Sequence, residues 1–242
     1  MNETLDAMAQ ALFKSRFVDF DGIKPEDMCK SEMGLIPKGW DFLPLAEVTS
    51  YLSRGLSPKY TGGDGVLVLN QRCIRNNVVD FTTARRHDHG LKKIIGRELQ
   101  IGDILVNSTG VGTLGRVAQI LHLPERTIVD SHVTIVRAAS NITSNYLGLN
   151  LLRRQEEIEA LGEGSTGQTE LSRANLGQVR ILLPPLEVIK QFDKSTQPLR
   201  NRSSSILLEN NSLASIRDFL IPKLISGQLQ IEDAEKFLES HI

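Results

Sequence analysis

Cysteine is scarce: Cys29 and Cys73 are the only two in 242 residues. Two thiols cannot staple a chain of this length, which excludes a secreted disulfide scaffold. They are also too few for a structural zinc site unless several of the five histidines join them. No uninterrupted apolar run approaches the ~20 residues of a membrane-spanning helix. Met1 to Phe20 carries acids at Glu3 and Asp6 and no cleavage-site pattern, so it does not read as a signal peptide. An excess of charge of either sign is missing too, since 28 Lys and Arg face 29 Asp and Glu. That balance excludes a globally basic nucleic-acid coat but leaves room for a local basic face. The expected setting is a reducing cytoplasm with no membrane attachment. Hydrophobic residues at 40% suffice for a buried core.

Leu5 to Phe17 places Leu5, Met8, Leu12 and Phe13 at helical spacing, which predicts an amphipathic helix. Asp21 to Pro37 reads as loop, broken by Gly22, Pro25, Gly34 and Pro37. From Trp40 onward short β-prone runs follow one another: Val66 to Leu69, Val78-Val79, Ile104 to Val106, Val117 to Ile120, Val133 to Val136 and Val179 to Leu183. Helical stretches interrupt them at Asn145 to Leu161 and at Ser172 to Gly177. Helices are too few to alternate with the strands, so a wound parallel sheet is excluded. The expectation is an α+β fold: one mixed, mainly antiparallel β-rich domain over 37–184, plus long coiled-coil-forming helices. The remaining divisions are a short helix over 1–21, a linker over 22–36, a long helix over 185–228 and a tail over 229–242.

After Pro184-Pro185, Phe192, Leu199, Ile206, Leu213 and Leu220 recur every seven residues, the strongest periodic signal in the chain. The neighbouring row is Thr196, Ser203 and Asn210, and a seam Asn can fix register. Pro198 implies a kink or a helix start, and Gly227 a stop. Leu199 to Ile221 would then span ~35 Å at 1.5 Å per residue. Residues 2–13 also align without gaps on residues 210–221, with Asn2/Asn210, Leu5/Leu213 and Leu12/Leu220 identical. This echo reads as an internal repeat.

Most motifs fail on inspection. Gly110-Val-Gly112-Thr-Leu-Gly115 fits a dinucleotide-binding pattern, but no helix opens at the third glycine, so it reads as a hairpin connection. His87-Asp-His89 lacks a third metal ligand and reads as solvated surface. Cys73 reads as a small strand residue. Ser165 is not in a nucleophile elbow, and no P-loop lysine or nuclease carboxylate cluster is present. No catalytic and no metal residue is expected.

What is left is local charge. Arg72, Arg75, Arg85, Arg86, Lys92, Lys93 and Arg97 face only Asp80 and Asp88 across the same stretch. Such a patch can contact phosphates, and its arginines can read guanine edges. Asn70, Gln71, Asn76 and Asn77 supply amides able to pair with adenine. The bland alternative is a solvated charged loop. Asn107, Ser108 and Thr109 are second candidates for a DNA contact. So are Ser165, Thr166 and Gln168 in the Gly164 loop, whose backbone N–H groups could hold a phosphate.

The order of these segments resembles a known family. Leu12 to Phe20, Ile36-Pro-Lys-Gly-Trp40, Leu99-Gln-Ile-Gly-Asp-Ile-Leu105, Gly164-Ser-Thr-Gly-Gln168, Ile181-Leu-Leu-Pro-Pro-Leu186 and Leu224-Ile-Ser-Gly-Gln-Leu229 succeed one another. They do so as in the DNA-specificity subunits of type I restriction-modification systems. Those subunits carry two recognition domains and two helical regions. This chain has one recognition domain, so it resembles the C-terminal half of such a subunit, or a half-length form. The resemblance implies a non-catalytic reader of half of an interrupted site on double-stranded DNA. It implies docking to methyltransferase and restriction subunits, with S-adenosylmethionine, ATP and magnesium bound by those partners. A half-subunit further implies a homodimer through Phe192, Leu199, Ile206, Asn210, Leu213 and Leu220. The competing readings are a scaffold or inhibitor that docks on the methyltransferase without reading DNA, and a nucleotide-dependent enzyme resting on Gly110 to Gly115.

Overall fold

A computed structural model describes residues 2–164 and 169–228. The chain opens with α1 (Asn2–Phe17) and a hairpin of β1 (Met28–Ser31) and β2 (Gly34–Pro37). Then come β3 (Asp41–Pro44), β4 (Thr49–Arg54), β5 (Tyr60–Thr61) and β6 (Val66–Leu69). A two-residue hairpin joins β7 (Ile74–Arg75) to β8 (Val78–Val79). Next are β9 (Arg85–His87), β10 (Ile104–Asn107), β11 (Val117–Gln119), β12 (Thr127–Val129) and β13 (Val133–Ala138). Helices α2 (Ser144–Arg153), α3 (Gln155–Ala160) and α4 (Arg173–Gly177) precede β14 (Arg180–Leu183) and the long α5 (Leu186–Ile225).

Two four-stranded sheets build the head, in the orders β11-β10-β13-β4 and β12-β6-β9-β5. Among the described strands only β12 and β6 pair in parallel, and the α+β, mainly antiparallel expectation is borne out. The two-residue period of a strand explains the layering. On β10, Ile104 and Val106 point into a core shared with the helices, while Leu105 points into a second core that also holds Leu69 and Val129 of the other sheet. The first sheet is therefore covered by helices on one face and by the second sheet on the other. That is why its central strands are continuous apolar runs. β14 returns to pair with β3, Leu183 opposite Asp41, so the chain leaves the head beside the point where it entered.

Half of the chain's few aromatic residues gather at the junction of head and helices. Phe13 and Phe17 of α1 meet Tyr146 of α2 and Phe192 of α5 at centroid distances of 4.8–5.8 Å, and Trp40 packs on Phe17 and Phe20. The buried face of α1 is thus Ala9, Phe13 and Phe17; Met8 and Leu12, expected inward, face solvent.

Several local expectations are corrected. The 21–37 segment holds the β1–β2 hairpin, whose Met33 and Leu35 stay exposed, so periodicity gave no strand signal. The predicted 145–161 helix breaks at Arg154 into α2 and α3; the Arg154 backbone N–H caps α2 by donating to Leu151 O, while its side chain donates to Arg180 O at 2.5 Å. Cys73 lies in a one-turn helix rather than a strand. Pro198 neither starts nor ends α5, which runs unbroken for 40 residues, ~60 Å rather than ~35 Å. Pro198 and Lys194, whose carbonyl the proline leaves without its helical donor, are both exposed.

The heptad row is also divided. Phe192 and Ile206 are buried and Leu199 half-buried, while Asn210 and Leu213 are exposed. Leu220 is buried further along. The first half of the seam is covered within the same chain: α1 and α2 pack over Ile189 to Ser203. Gly115 shows why the 110–115 glycines are structural. It has φ +76, and a Cβ there would lie 2.5 Å from Glu159 Cα of α3.

Candidate nucleic-acid interface

Strand β9 reads Arg85-Arg86-His87, and strand alternation sends Arg85 and His87 to one face and Arg86 to the other. Tyr60 pairs directly opposite His87, which makes Arg85 its diagonal neighbour. The Arg85 guanidinium carbon accordingly lies 3.4 Å from the Tyr60 ring centroid. Burial, with the nearby Asp130 carboxylate, pushes the Tyr60 hydroxyl above its ordinary pKa.

Arg86 is engaged by the protein itself, although its side chain is 40% exposed. It donates to Gly65 O at 2.7 Å and to both carboxylate oxygens of Glu125 at 2.7 and 3.0 Å. That pairing holds the Glu125 carboxyl below the usual range. Lys92 is likewise engaged, donating to Ser57 O at 2.9 Å. His87 is corrected from surface to core: it is fully buried. Its Nδ1 accepts from Lys59 N at 2.9 Å, so the ring proton sits on Nε2, which donates to Lys92 O at 2.8 Å. Among the described residues no cluster of three or more His, Cys, Asp or Glu is placed to hold a metal.

Four cations of the predicted patch, Arg72, Arg75, Lys93 and Arg97, are exposed, and their side chains have no protein partner among the described residues. The neighbouring amides are more committed. Asn70 Oδ1 accepts from Arg72 N at 2.8 Å, and Asn76 and Asn77, both at positive φ, form the turn between β7 and β8.

Asn107 and Ser108 are corrected as DNA contacts, because both are fully buried. Asn107 donates to Gln71 O and Thr113 O at 2.9 and 3.0 Å, tying two loops together, and Ser108 bonds Thr134. Thr109 remains at the surface, 2.5 Å from His132 Nδ1. It also pairs with Glu170, which in turn pairs with Glu163, so both flanks of the Gly164 loop sit beside Thr109. Ser165, Thr166 and Gln168 themselves lie outside the described residues. Arg54 fastens this corner through Glu170 at 2.6 Å and Leu171 O at 2.8 Å. Asp130 joins the two halves of the rim: its backbone N–H donates to Leu69 O, and its Oδ1 accepts from His132 N. Burial pushes the Asp130 carboxyl up, against that last hydrogen bond. Sequence reasoning misses Tyr60, Asp130 and His132 as members of this rim; a two-residue strand and isolated residues between strands carry no pattern.

Among the described residues no helix is long and apolar enough to cross a membrane. The chain matches no protein-family model. It is 24% identical over 238 residues to the type I restriction enzyme MjaIX specificity subunit of Methanocaldococcus jannaschii, covering 96% of this chain and 54% of that protein. It is 22% identical to the HindI specificity subunit of Haemophilus influenzae, covering 95% of this chain and 62% of that protein. The chain thus spans little more than half the length of these relatives. Its fold is similar to that of the HsdS subunit from Thermoanaerobacter tengcongensis, with a TM-score of 0.53 and 14% identity over 86% of this chain and 46% of that one. A chain from a type I restriction-modification assembly matches with a TM-score of 0.51 and 14% identity, over 92% of this chain and 53% of the other. The resemblance read from the ordered motifs is therefore borne out: along nearly its whole length this chain is similar to type I restriction enzyme specificity subunits.

Proposed function

We propose that the chain is a sequence-specific DNA-recognition subunit that performs no chemistry itself. The observation that carries this reading is a similarity to specificity subunits that runs through both head and long helix. In this reading the head reads half of an interrupted duplex site, with Arg72, Arg75, Lys93 and Arg97 neutralising phosphates. The helices carry the head to methyltransferase subunits, which restriction subunits join. S-adenosylmethionine, ATP and magnesium belong to those partners and not to this chain.

A second copy completes the site. Leu208, Leu213, Phe219 and Ile221 on α5 are 43–47% exposed, and Met8 and Leu12 on α1 are 48% and 44% exposed. These apolar rows support a two-fold dimer through the helices, and two-fold symmetry makes the two half-sites inverted copies of one another.

Co-expression with the methyltransferase subunit of its own system, followed by mapping of methylated bases, tests this. One interrupted motif is expected. A complex that assembles but methylates no defined motif would instead make the chain a scaffold or inhibitor.

A further inference from the structure

We infer that Arg85, held over the Tyr60 ring, reads a guanine edge in the major groove and sets one base of the target. This rests on the DNA-reading function proposed above. Three observations favour base reading over a phosphate contact. The first is the unlike treatment of two adjacent arginines. Arg86 is forked onto Glu125, whereas among the described residues no carboxylate pairs with Arg85, whose partner is an aromatic face. A phosphate contact needs only a charge on a flexible stem, as Lys93 offers. A planar fork already fixed in orientation suits the paired O6 and N7 acceptors of guanine.

The second is how the stack is made. The β5–β9 register places Tyr60 opposite His87 and diagonal to Arg85, and His87 is locked from both ring nitrogens. The platform is therefore set by backbone pairing and a buried neighbour rather than by a mobile loop. The third is its surroundings. Tyr60 is 39% exposed, so the stack is open to solvent. Asp130, the carboxylate that acts on Tyr60, also bonds His132 N, and His132 holds Thr109. One aromatic, one guanidinium, an imidazole and a hydroxyl thus share a rim over the buried Asp130 carboxylate, a composition suited to base edges.

The test uses the whole chain and a duplex it selects from a random pool, together with every single-base-pair variant of that duplex, titrated by fluorescence anisotropy at several salt concentrations. Arg85→Lys keeps the charge and loses the fork. The expected result is a loss of ~5- to 150-fold discrimination at one G·C pair, with the other positions and the salt dependence unchanged. Tyr60→Leu should blunt the same position and Tyr60→Phe should preserve it, with melting curves confirming that both variants fold. Uniform weakening at all positions by Arg85→Lys, or no change at all, overturns the inference while leaving the DNA-reading function standing. A wild-type chain that prefers no sequence overturns both.

Discussion

Arg200 of the long helix donates from Nη2 to Gln119 Oε1 of the head at 2.5 Å, although the arginine is only 5% exposed. Its Nη1 lies 3.5 Å from Asp6 Oδ1 on α1, and burial pulls its pKa below the usual guanidinium value despite that carboxylate. Gln119 is held in turn by Nε2 donation to Ser144 O at 2.6 Å and Gly102 O at 3.2 Å. Head, first helix and long helix therefore meet at one buried charge. In the proposed dimer, the spacing between the two heads rests on this joint.

Replacing Arg200 with Ala strands Gln119 Oε1 and removes a buried aliphatic stem. A loss of ~1–3 kcal/mol is expected from the hydrogen bond alone, and Arg200→Met, which keeps the stem, should lose less than Arg200→Ala. Urea unfolding midpoints measure both. A midpoint unchanged by either substitution would remove the joint from the stability of the fold.

Asp130 gives the fold a pH dependence of known sign. Burial raises its pKa, so the folded state holds a proton at a pH where the unfolded chain has released it. Its stabilising contribution is complete below the ordinary carboxyl pKa of ~3.9 and is lost as pH rises through the raised value. Asp130→Asn keeps the acceptor for His132 N and removes the charge. The variant should melt above wild type at pH 7–8, and the gap should close towards pH 4. A gap that widens on acidification would contradict this.

The two halves of the heptad row should respond differently to charge. Ile206 is covered within its own chain, so Ile206→Asp should destabilise the monomer. Leu213 is 45% exposed, so Leu213→Asp should leave helix content intact and shift light-scattering mass from dimer to monomer at tens of micromolar. Wild type that is already monomeric there would refute pairing through this face.

Among the basic residues, the salt dependence of DNA binding should separate contact from structure. Each of Arg72→Ala, Arg75→Ala, Lys93→Ala and Arg97→Ala that removes a phosphate contact should flatten the slope of log K against log salt by ~0.9. Arg86→Ala should not, because its guanidinium is committed to Glu125 and Gly65. Equal flattening by Arg86→Ala would place that ion pair open in the complex.

The β-rich head and the seam are legible in the sequence because both depend on local apolar periodicity, as in Val133 to Val136 and in Phe192 to Leu220. Partnering is not. Arg85 and Arg86 are adjacent and chemically identical, and only a carboxylate 39 residues away and an aromatic on another strand separate their roles. Asn107 looks like a polar loop residue because its acceptors, Gln71 O and Thr113 O, come from two other turns. The inward face of α1 is decided by Tyr146 and Phe192, which are distant in sequence, so Phe13 of the predicted row lies inward while Met8 and Leu12 sit one step out of register.

Sequencing the duplexes that the whole chain retains from a random pool at low salt is the most direct measurement of whether it reads DNA. Enrichment of one short motif, repeated as its inverted copy across a fixed gap, is the expected result. A retained pool as random as the input, from protein that is folded and dimeric, would contradict it.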